Sequence, residues 1–246
     1  MICLHHNDLD GRCSAAIVMM AFPTAEFIEV DYASDIPFDR IPQGAEVAIV
    51  DFSLQKPGDW ERMIERAGYI TWIDHHETAI KRATGGPAQD LPGNRDTTRC
   101  GALLCWEYWI GTQVPFVVGL VDAWDRWVHH DMDEVLNFVA GMKVENQSPT
   151  STVWETLLDY RGNLDLAKQA HELLDNILDR GEIIRTYEAK DNAEIVSHYG
   201  YPVILDGFHC LACNSNRRNS KVFDSVPAAD RPEIFIAYVH DGKNFT

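Results

Sequence analysis

Basic residues are scarce in this chain. Its 246 residues include 21 Lys and Arg against 38 Asp and Glu, a formal charge of −17. A protein that coats long duplexes needs a stripe of Lys and Arg to displace counterions from many phosphates, so that class of partner is excluded. Long apolar runs are missing as well: the longest uncharged apolar stretch, about residues 114–121, falls far short of the roughly 20 residues that span a bilayer. No secretory leader is legible, because His5, His6, Asp8 and Asp10 interrupt the apolar start at once, and the expected location is the cytoplasm. Cysteine is limited to six residues, three of them (Cys13, Cys100, Cys105) within helix-like apolar patterns, and reduced thiols rather than disulfides are expected. Internal repeats and low-complexity tracts are lacking too. What is present is globular: 46% apolar, 24% charged and 10% aromatic residues.

Periodicity then gives an order of elements. Residues 1–5 form a short apolar run, followed by the turn-like Asn7-Asp8-Leu9-Asp10-Gly11 and a helical Ala, Ile, Val and Met stretch over 14–22. Residues 25–32 alternate Phe27, Glu29 and Asp31 with Ile28, Val30 and Tyr32, and 45–50 is a β-branched segment ending at Asp51. A helix over 55–67, with Trp60, Met63 and Ile64 at helical spacing, precedes a strand over 69–73 that ends in Asp74-His75-His76. This β/α alternation predicts an α/β fold: a parallel sheet with helices on both faces. Residues 85–99 read as a loop, with Thr98 as the expected cap of a helix over 99–110, and another apolar helix covers 115–124. Leu164, Leu166, Ala167, Leu173, Ile177, Leu178 and Ile183 mark one long connector helix over 163–192. Strand-like runs over 201–205, 210–214 and 233–239 begin a smaller unit, and Asp241-Gly242 reads as a turn whose return strand would lie beyond Thr246. The expected division is 1–160, a connector over 161–195, and a partial domain over 196–246.

Chemistry concentrates at the predicted strand ends. If extension persists past residue 6, His6, Asp8 and Asp10 point one way. Asp51 ends a second strand and Asp74-His75-His76 a third, and in open α/β sheets the ligand crevice lies outside the carboxyl ends of the strands. Asp51 alone, or Asp8-Leu9-Asp10-Gly11 alone, is ordinary turn chemistry, whereas tandem His75-His76 after Asp74 is harder to dismiss. Together they form a carboxylate and imidazole set without cysteine, which suits Mn²⁺, Mg²⁺ or Zn²⁺, and more than four ligands point to two ions sharing a bridging carboxylate. Phe208-His209-Cys210 with Cys213 lacks a second ligand pair and reads as a strand with small residues rather than a zinc site.

Four motifs in order, His6-Asn7-Asp8-Leu9-Asp10-Gly11, the strand ending in Asp51, Asp74-His75-His76, and Asp125-Arg126-Trp127, resemble those of the DHH phosphoesterase superfamily. The last, with Trp two residues after Asp, is most similar to the nano-RNase B-like oligoribonuclease branch. The resemblance covers residues 1–130 strongly; residues 201–246 resemble more weakly the start of a DHHA1 domain. It implies that His6 and Asp8 hold one metal, Asp10, His75 and Asp125 the other, and that Asp51 bridges them. By the same resemblance His76 faces the phosphate, and Asp74 holds the imidazoles in place.

Asp122 competes with Asp125 for the fourth motif, and the Trp127 spacing favours Asp125. His129, His130, Asp131 and Asp133 read as a polar loop after a helix. DHHA1 domains carry a Gly-Gly-Gly-His type ending, which this chain lacks; Arg217 and Arg218 are the remaining basic pair for a substrate phosphate. The resemblance implies a Mn²⁺-dependent phosphodiesterase, with Mg²⁺ or Co²⁺ as other metals. Its substrates would be short RNA or DNA oligonucleotides or small nucleotides, in a chain that can be a homodimer. A phosphomonoesterase, an exopolyphosphatase and a nucleotide-binding regulator without turnover are the alternatives.

Overall fold

A computed structural model describes residues 1–111, 113–128, 132–158, 163–215 and 220–239. The chain divides into two compact units, Met1–Gly181 and Glu182–Thr246. In the first, β1 (Ile2–His6), β2 (Glu26–Val30), β3 (Glu46–Val50) and β4 (Tyr69–Ile73) form one parallel sheet in the order β2-β1-β3-β4. β1, β3 and β4 are buried along nearly their whole length because both faces of the sheet are covered, whereas the edge strand β2 alternates buried and exposed residues. On one face Cys3, Ala48, Val50 and Ile73 share a core with α1 (Leu9–Ala21), α4 (Gly101–Trp109), α5 (Phe116–Asp125), α6 (Asp133–Met142) and α7 (Thr152–Leu158). On the other, Leu4, Ile49 and Trp72 pack with Met63 of α2 (Asp59–Arg66) and Ala83 of α3 (Glu77–Ala83). The predicted parallel sheet with helices on both faces is the observed architecture.

Three local expectations are corrected. Extension does not persist past His6: Asp8 caps α1, its Oδ1 accepting the Gly11 N–H at 2.9 Å, so Asp10 sits in the first helical turn. The turn is that tight because residue 11 is glycine; a Cβ there would lie 2.4 Å from the His6 carbonyl oxygen. Thr98 does not cap α4; its N–H and hydroxyl donate to Asp96, and Cys100 takes the cap position. Helices α3, α6 and α7 were not expected; α3 and α7, at seven residues each, lack enough turns for a periodic signal. Asp133 opens α6 rather than extending a loop, while His129, His130 and Asp131 lie outside the described residues.

The long helix α8 runs from Leu164 to Tyr199, seven residues past its expected end. In the second unit β5 (Gly200–Leu205) and β6 (Phe208–Asn214) are antiparallel, joined by Asp206 and Gly207 at φ +49° and +89°, the left-handed pair that a tight hairpin requires. β7 (Ile234–Tyr238) pairs in parallel with β6. Cys213, Val222, Phe223 and Val226 form a small core, with Phe223 stacked on Phe235 at 4.7 Å. Asp241-Gly242 lies outside the described residues. No helix among the described residues is long and apolar enough to cross a membrane.

The strand-to-helix turn gives a direct test. Gly11→Ala should lower the unfolding free energy by about 1–3 kcal/mol, as overpacking against fixed backbone does, read as a lower urea midpoint at unchanged slope.

Candidate metal centre

The carboxyl ends of β1, β3 and β4 lie side by side, so the residues that follow them share one edge. His6 is the last residue of β1, Asp51 follows β3, and Asp74-His75-His76 follows β4. Asp125, the last residue of α5, reaches the same place from the helical layer. Asp51 holds φ +51° while fully buried, a left-handed conformation that a non-glycine residue adopts at a cost and that concentrates at functional sites.

Three sets of potential ligand atoms result, each lying within 4.8 Å of one another: His6, Asp8 and Asp51; Asp10, His75 and Asp125; and Asp51, His75 and His76. Asp51 belongs to two sets and His75 to two, so the sets form one continuous cluster. His75 Nε2 lies 3.2 Å from Asp51 Oδ1, 3.3 Å from Asp125 Oδ2 and 3.7 Å from Asp10 Oδ2. Two ligands at right angles around an ion of 2.0–2.1 Å bond length are about 3 Å apart, so these spacings suit a hard divalent cation.

The hydrogen bonding separates supporting groups from ligands. Asp74 Oδ1 accepts from the backbone N–H of His75 (2.8 Å) and His76 (3.1 Å) and from the His76 ring at Nδ1 (2.7 Å). It therefore orients the His76 imidazole but only the backbone of His75. His6 Nδ1 and Asp8 Oδ2 are 2.7 Å apart. Both carboxylate oxygens of Asp51, His75 Nε2 and Asp125 Oδ2 are buried without a hydrogen-bond partner, as is Asp74 Oδ2, which lies outside the three sets. Buried polar atoms are almost always paired, so four unpaired ones facing each other are atoms that a cation would satisfy. The donor set fits a divalent metal.

Electrostatics agree. Burial pushes the Asp51 carboxyl well above its ordinary range, and the charges of Asp10, Asp8, Asp125 and Asp74 add to it. Asp125 is pushed up to about 7 by burial and then by Asp10 and Asp8. His75 is lowered by burial, whereas His76 is raised by its hydrogen bond to Asp74. Burial opposes ionisation of Asp8, yet the bond from His6 and the Gly11 N–H hold its carboxyl low. Carboxylates crowded in this way stay protonated unless positive charge enters.

Asp122 does not reach the cluster: it accepts from the Cys100 N–H at 2.8 Å and pairs bidentately with Arg126 at 2.9 and 2.6 Å. Asp10 has a second duty that the sequence did not reveal. Its two oxygens accept the Gly101 and Ala102 N–H groups, each at 2.7 Å, at the start of α4. Gly101 permits that approach, since a Cβ there would lie 2.6 Å from the Asp51 Cβ. A glycine at the first position of an otherwise apolar helix was the available signal. Also missed were Tyr32 and Phe52, stacked at 4.7 Å, with Tyr32 5.1 Å from the His6 ring. Arg217 and Arg218 lie outside the described residues.

No protein-family model matches the sequence, and no curated protein does. Among solved structures, the DHH domain of a protein from a family of ribosomal proteins aligns with 87% of this chain and 62% of its own, at TM-score 0.53 and 13% identity. The chain has the DHH-domain fold. Looser alignments include exonuclease RecJ bound to manganese, over 96% of this chain and 75% of that one, at TM-score 0.47 and 13% identity. A pGpG-specific phosphodiesterase from Vibrio cholerae covers 99% and 79%, at 0.46 and 15%.

The raised Asp125 sets a pH dependence. Its carboxyl rises from 3.8 to about 7 on folding, so the metal-free chain is most stable below pH 4 as far as this group is concerned and loses that contribution as pH climbs toward 7. A divalent ion needs the carboxylate, so its affinity should rise up to about tenfold per pH unit below 7 and level off above. Titration of Mn²⁺ by calorimetry between pH 5.5 and 8.5 checks this, and Asp125→Asn should flatten the slope.

Proposed function

We propose that this protein is a metal-dependent phosphodiesterase that hydrolyses short oligonucleotides or small nucleotides, of the nano-RNase B-like kind within the DHH superfamily. The observation that carries the reading is Asp51: buried, strained, with both oxygens unpaired, grouped with His6 and Asp8, and with Oδ1 3.2 Å from the His75 Nε2 of the Asp10, His75 and Asp125 set. In this reading His6 and Asp8 hold one ion, Asp10, His75 and Asp125 the other, and Asp51 bridges them. Mn²⁺ is the expected metal, with Mg²⁺ or Co²⁺ able to replace it. Two such ions, when bound, supply an activated water and neutralise the oxygens of an in-line displacement.

The chain's own residues do the rest. Asp74, fully buried, favours the protonated form of His76 through the 2.7 Å bond to its Nδ1. His76 is one-third exposed at the ring, so its remaining N–H can be offered to a phosphate oxygen. The left-handed Asp51 keeps its carboxylate aimed into the cluster rather than along the strand. Residues 1–160 would carry the reaction, with 161–195 as a connector and 196–246, including Arg217 and Arg218, beginning a substrate-binding part. The scarcity of Lys and Arg fits a site that grips one or a few phosphates and not a long duplex.

The test is release of mononucleotides from labelled di- to pentanucleotide RNA with Mn²⁺. Asp51→Asn and His75→Ala should each lower kcat/KM by at least about a thousandfold, roughly 4 kcal/mol of barrier. Equal rates for wild type and both variants would refute the assignment. Running 3′-phosphoadenosine 5′-phosphate, a cyclic dinucleotide and polyphosphate in parallel separates the diesterase from a phosphomonoesterase or exopolyphosphatase using the same residues.

A further inference from the structure

Tyr32 stands two residues past the carboxyl end of β2 and belongs to none of the three ligand sets. β2 lies beside β1 with Val30 as the register partner of His6, so the chain beyond Val30 leaves the sheet next to the cluster. Ring contacts place the phenol. It stacks on Phe52 with centroids 4.7 Å apart and planes at 21°, its centroid is 5.1 Å from that of His6, and it is 6.1 Å from the ring of His76 at 82°. Tyr32 therefore borders both a proposed metal ligand and the imidazole proposed to face the phosphate.

These distances also say which side of the ring is open. Phe52, 1% exposed, covers one face. The Phe52 and His6 centroids are 6.2 Å apart, so seen from Tyr32 they lie nearly at a right angle, and His6 flanks the ring instead of covering its second face. His76, almost perpendicular, makes an edge contact that covers little of either ring. Tyr32 keeps 36% of its surface exposed, and the second face accounts for it. The ring is also held in place. The Ser53 backbone N–H donates to the phenol oxygen, and the preceding Asp31 accepts from Asn7 Nδ2 and from the Ala33 N–H, each at 2.9 Å, which ties down the backbone around it. A bare aromatic face beside a carboxylate offers nothing to a further phosphate, whereas a neutral planar base gains by stacking on it.

We propose that Tyr32 is the residue that selects nucleosides: the base joined to the phosphate at the metal cluster stacks on its open face. Every base has a π-face, so this contact accepts any of them and sets no sequence preference. It does set a substrate class, because polyphosphate and sugar phosphates have no ring to place there. The inference deepens the phosphodiesterase reading and rests on it for where the phosphate sits. Tyr32 contributes through binding and takes no part in the chemical step, so its loss falls on KM and leaves kcat.

The experiment has a binding arm and a turnover arm on the full chain. The probes are two dinucleotides, each with 2-aminopurine at one position and an abasic ribose at the other, and a fully abasic dinucleotide. Fluorescence is read on rapid mixing with Mg²⁺ present, since Mn²⁺ itself quenches. A stacked 2-aminopurine loses its emission, so wild type and Tyr32→Phe should quench one of the two probes saturably, while Tyr32→Leu should bind it at least about fivefold more weakly and without the quench. Tyr32→Trp, with a larger ring, should bind at least as well as wild type. In turnover with Mn²⁺, Tyr32→Leu should raise KM for the quenched probe at least about fivefold at unchanged kcat and leave the fully abasic dinucleotide as in wild type. The proposal is overturned if neither probe is quenched, if Tyr32→Leu quenches like wild type, if Tyr32→Phe loses as much as Tyr32→Leu, which would assign the effect to the hydroxyl, or if Tyr32→Leu loses the abasic dinucleotide equally, which would make the role structural. Quenching that depends on Tyr32 with no turnover of any probe would uphold the stacking site and sink the phosphodiesterase; turnover with no dependence on Tyr32 would do the reverse.

Discussion

Repulsion among buried carboxylates governs the first unit. Asp10, Asp51 and Asp74 are almost wholly buried, and Asp8 and Asp125 crowd the same edge. In a protein interior an unpaired carboxylate is costly enough that a fold carrying five together must neutralise them by protons, by hydrogen bonds or by cations. The chain uses the first two unevenly. Asp74 is satisfied on one oxygen by three donors and Asp10 by two backbone N–H groups, while Asp51 has none. The architecture around them follows from this unevenness, since parallel strands of equal length bring His6, Asp51 and Asp74 to one edge and α4 and α5 close over it.

The sheet and its chemistry were largely legible because both depend on short-range pattern. Five-residue apolar strands ending in Asp or His stand out against a polar background, and a parallel sheet then brings their ends together without further information. Asp125 rather than Asp122 facing the cluster was suggested by the spacing to Trp127; the structure gives the physical reason, because Arg126 and the Cys100 N–H occupy Asp122.

What escaped the sequence was of a different kind. The fixed direction of Asp10 comes from contacts about ninety residues away, at Gly101 and Ala102, which no local pattern encodes. The positive φ of Asp51 is likewise imposed from outside, for aspartate carries no intrinsic need for it. The cap of α4 was misplaced because Thr98 has the better intrinsic propensity, yet its hydroxyl is taken by Asp96 two residues earlier. The expected alignment of His6, Asp8 and Asp10 along one extended segment failed for a simple reason: Gly11 lets the chain turn into a helix at once, and the turn distributes the three residues over two ligand sets.

The bare first position of α4 has a consequence for how the cluster endures without ions. A helix start carries about half a positive charge in its unpaired N–H groups. Because Gly101 has no side chain, that end meets Asp10 directly and comes within contact of Asp51. The backbone thus acts as a permanent counter-ion, built in and unable to dissociate. Part of the cluster therefore keeps its shape through the backbone alone, whatever its carboxylates hold.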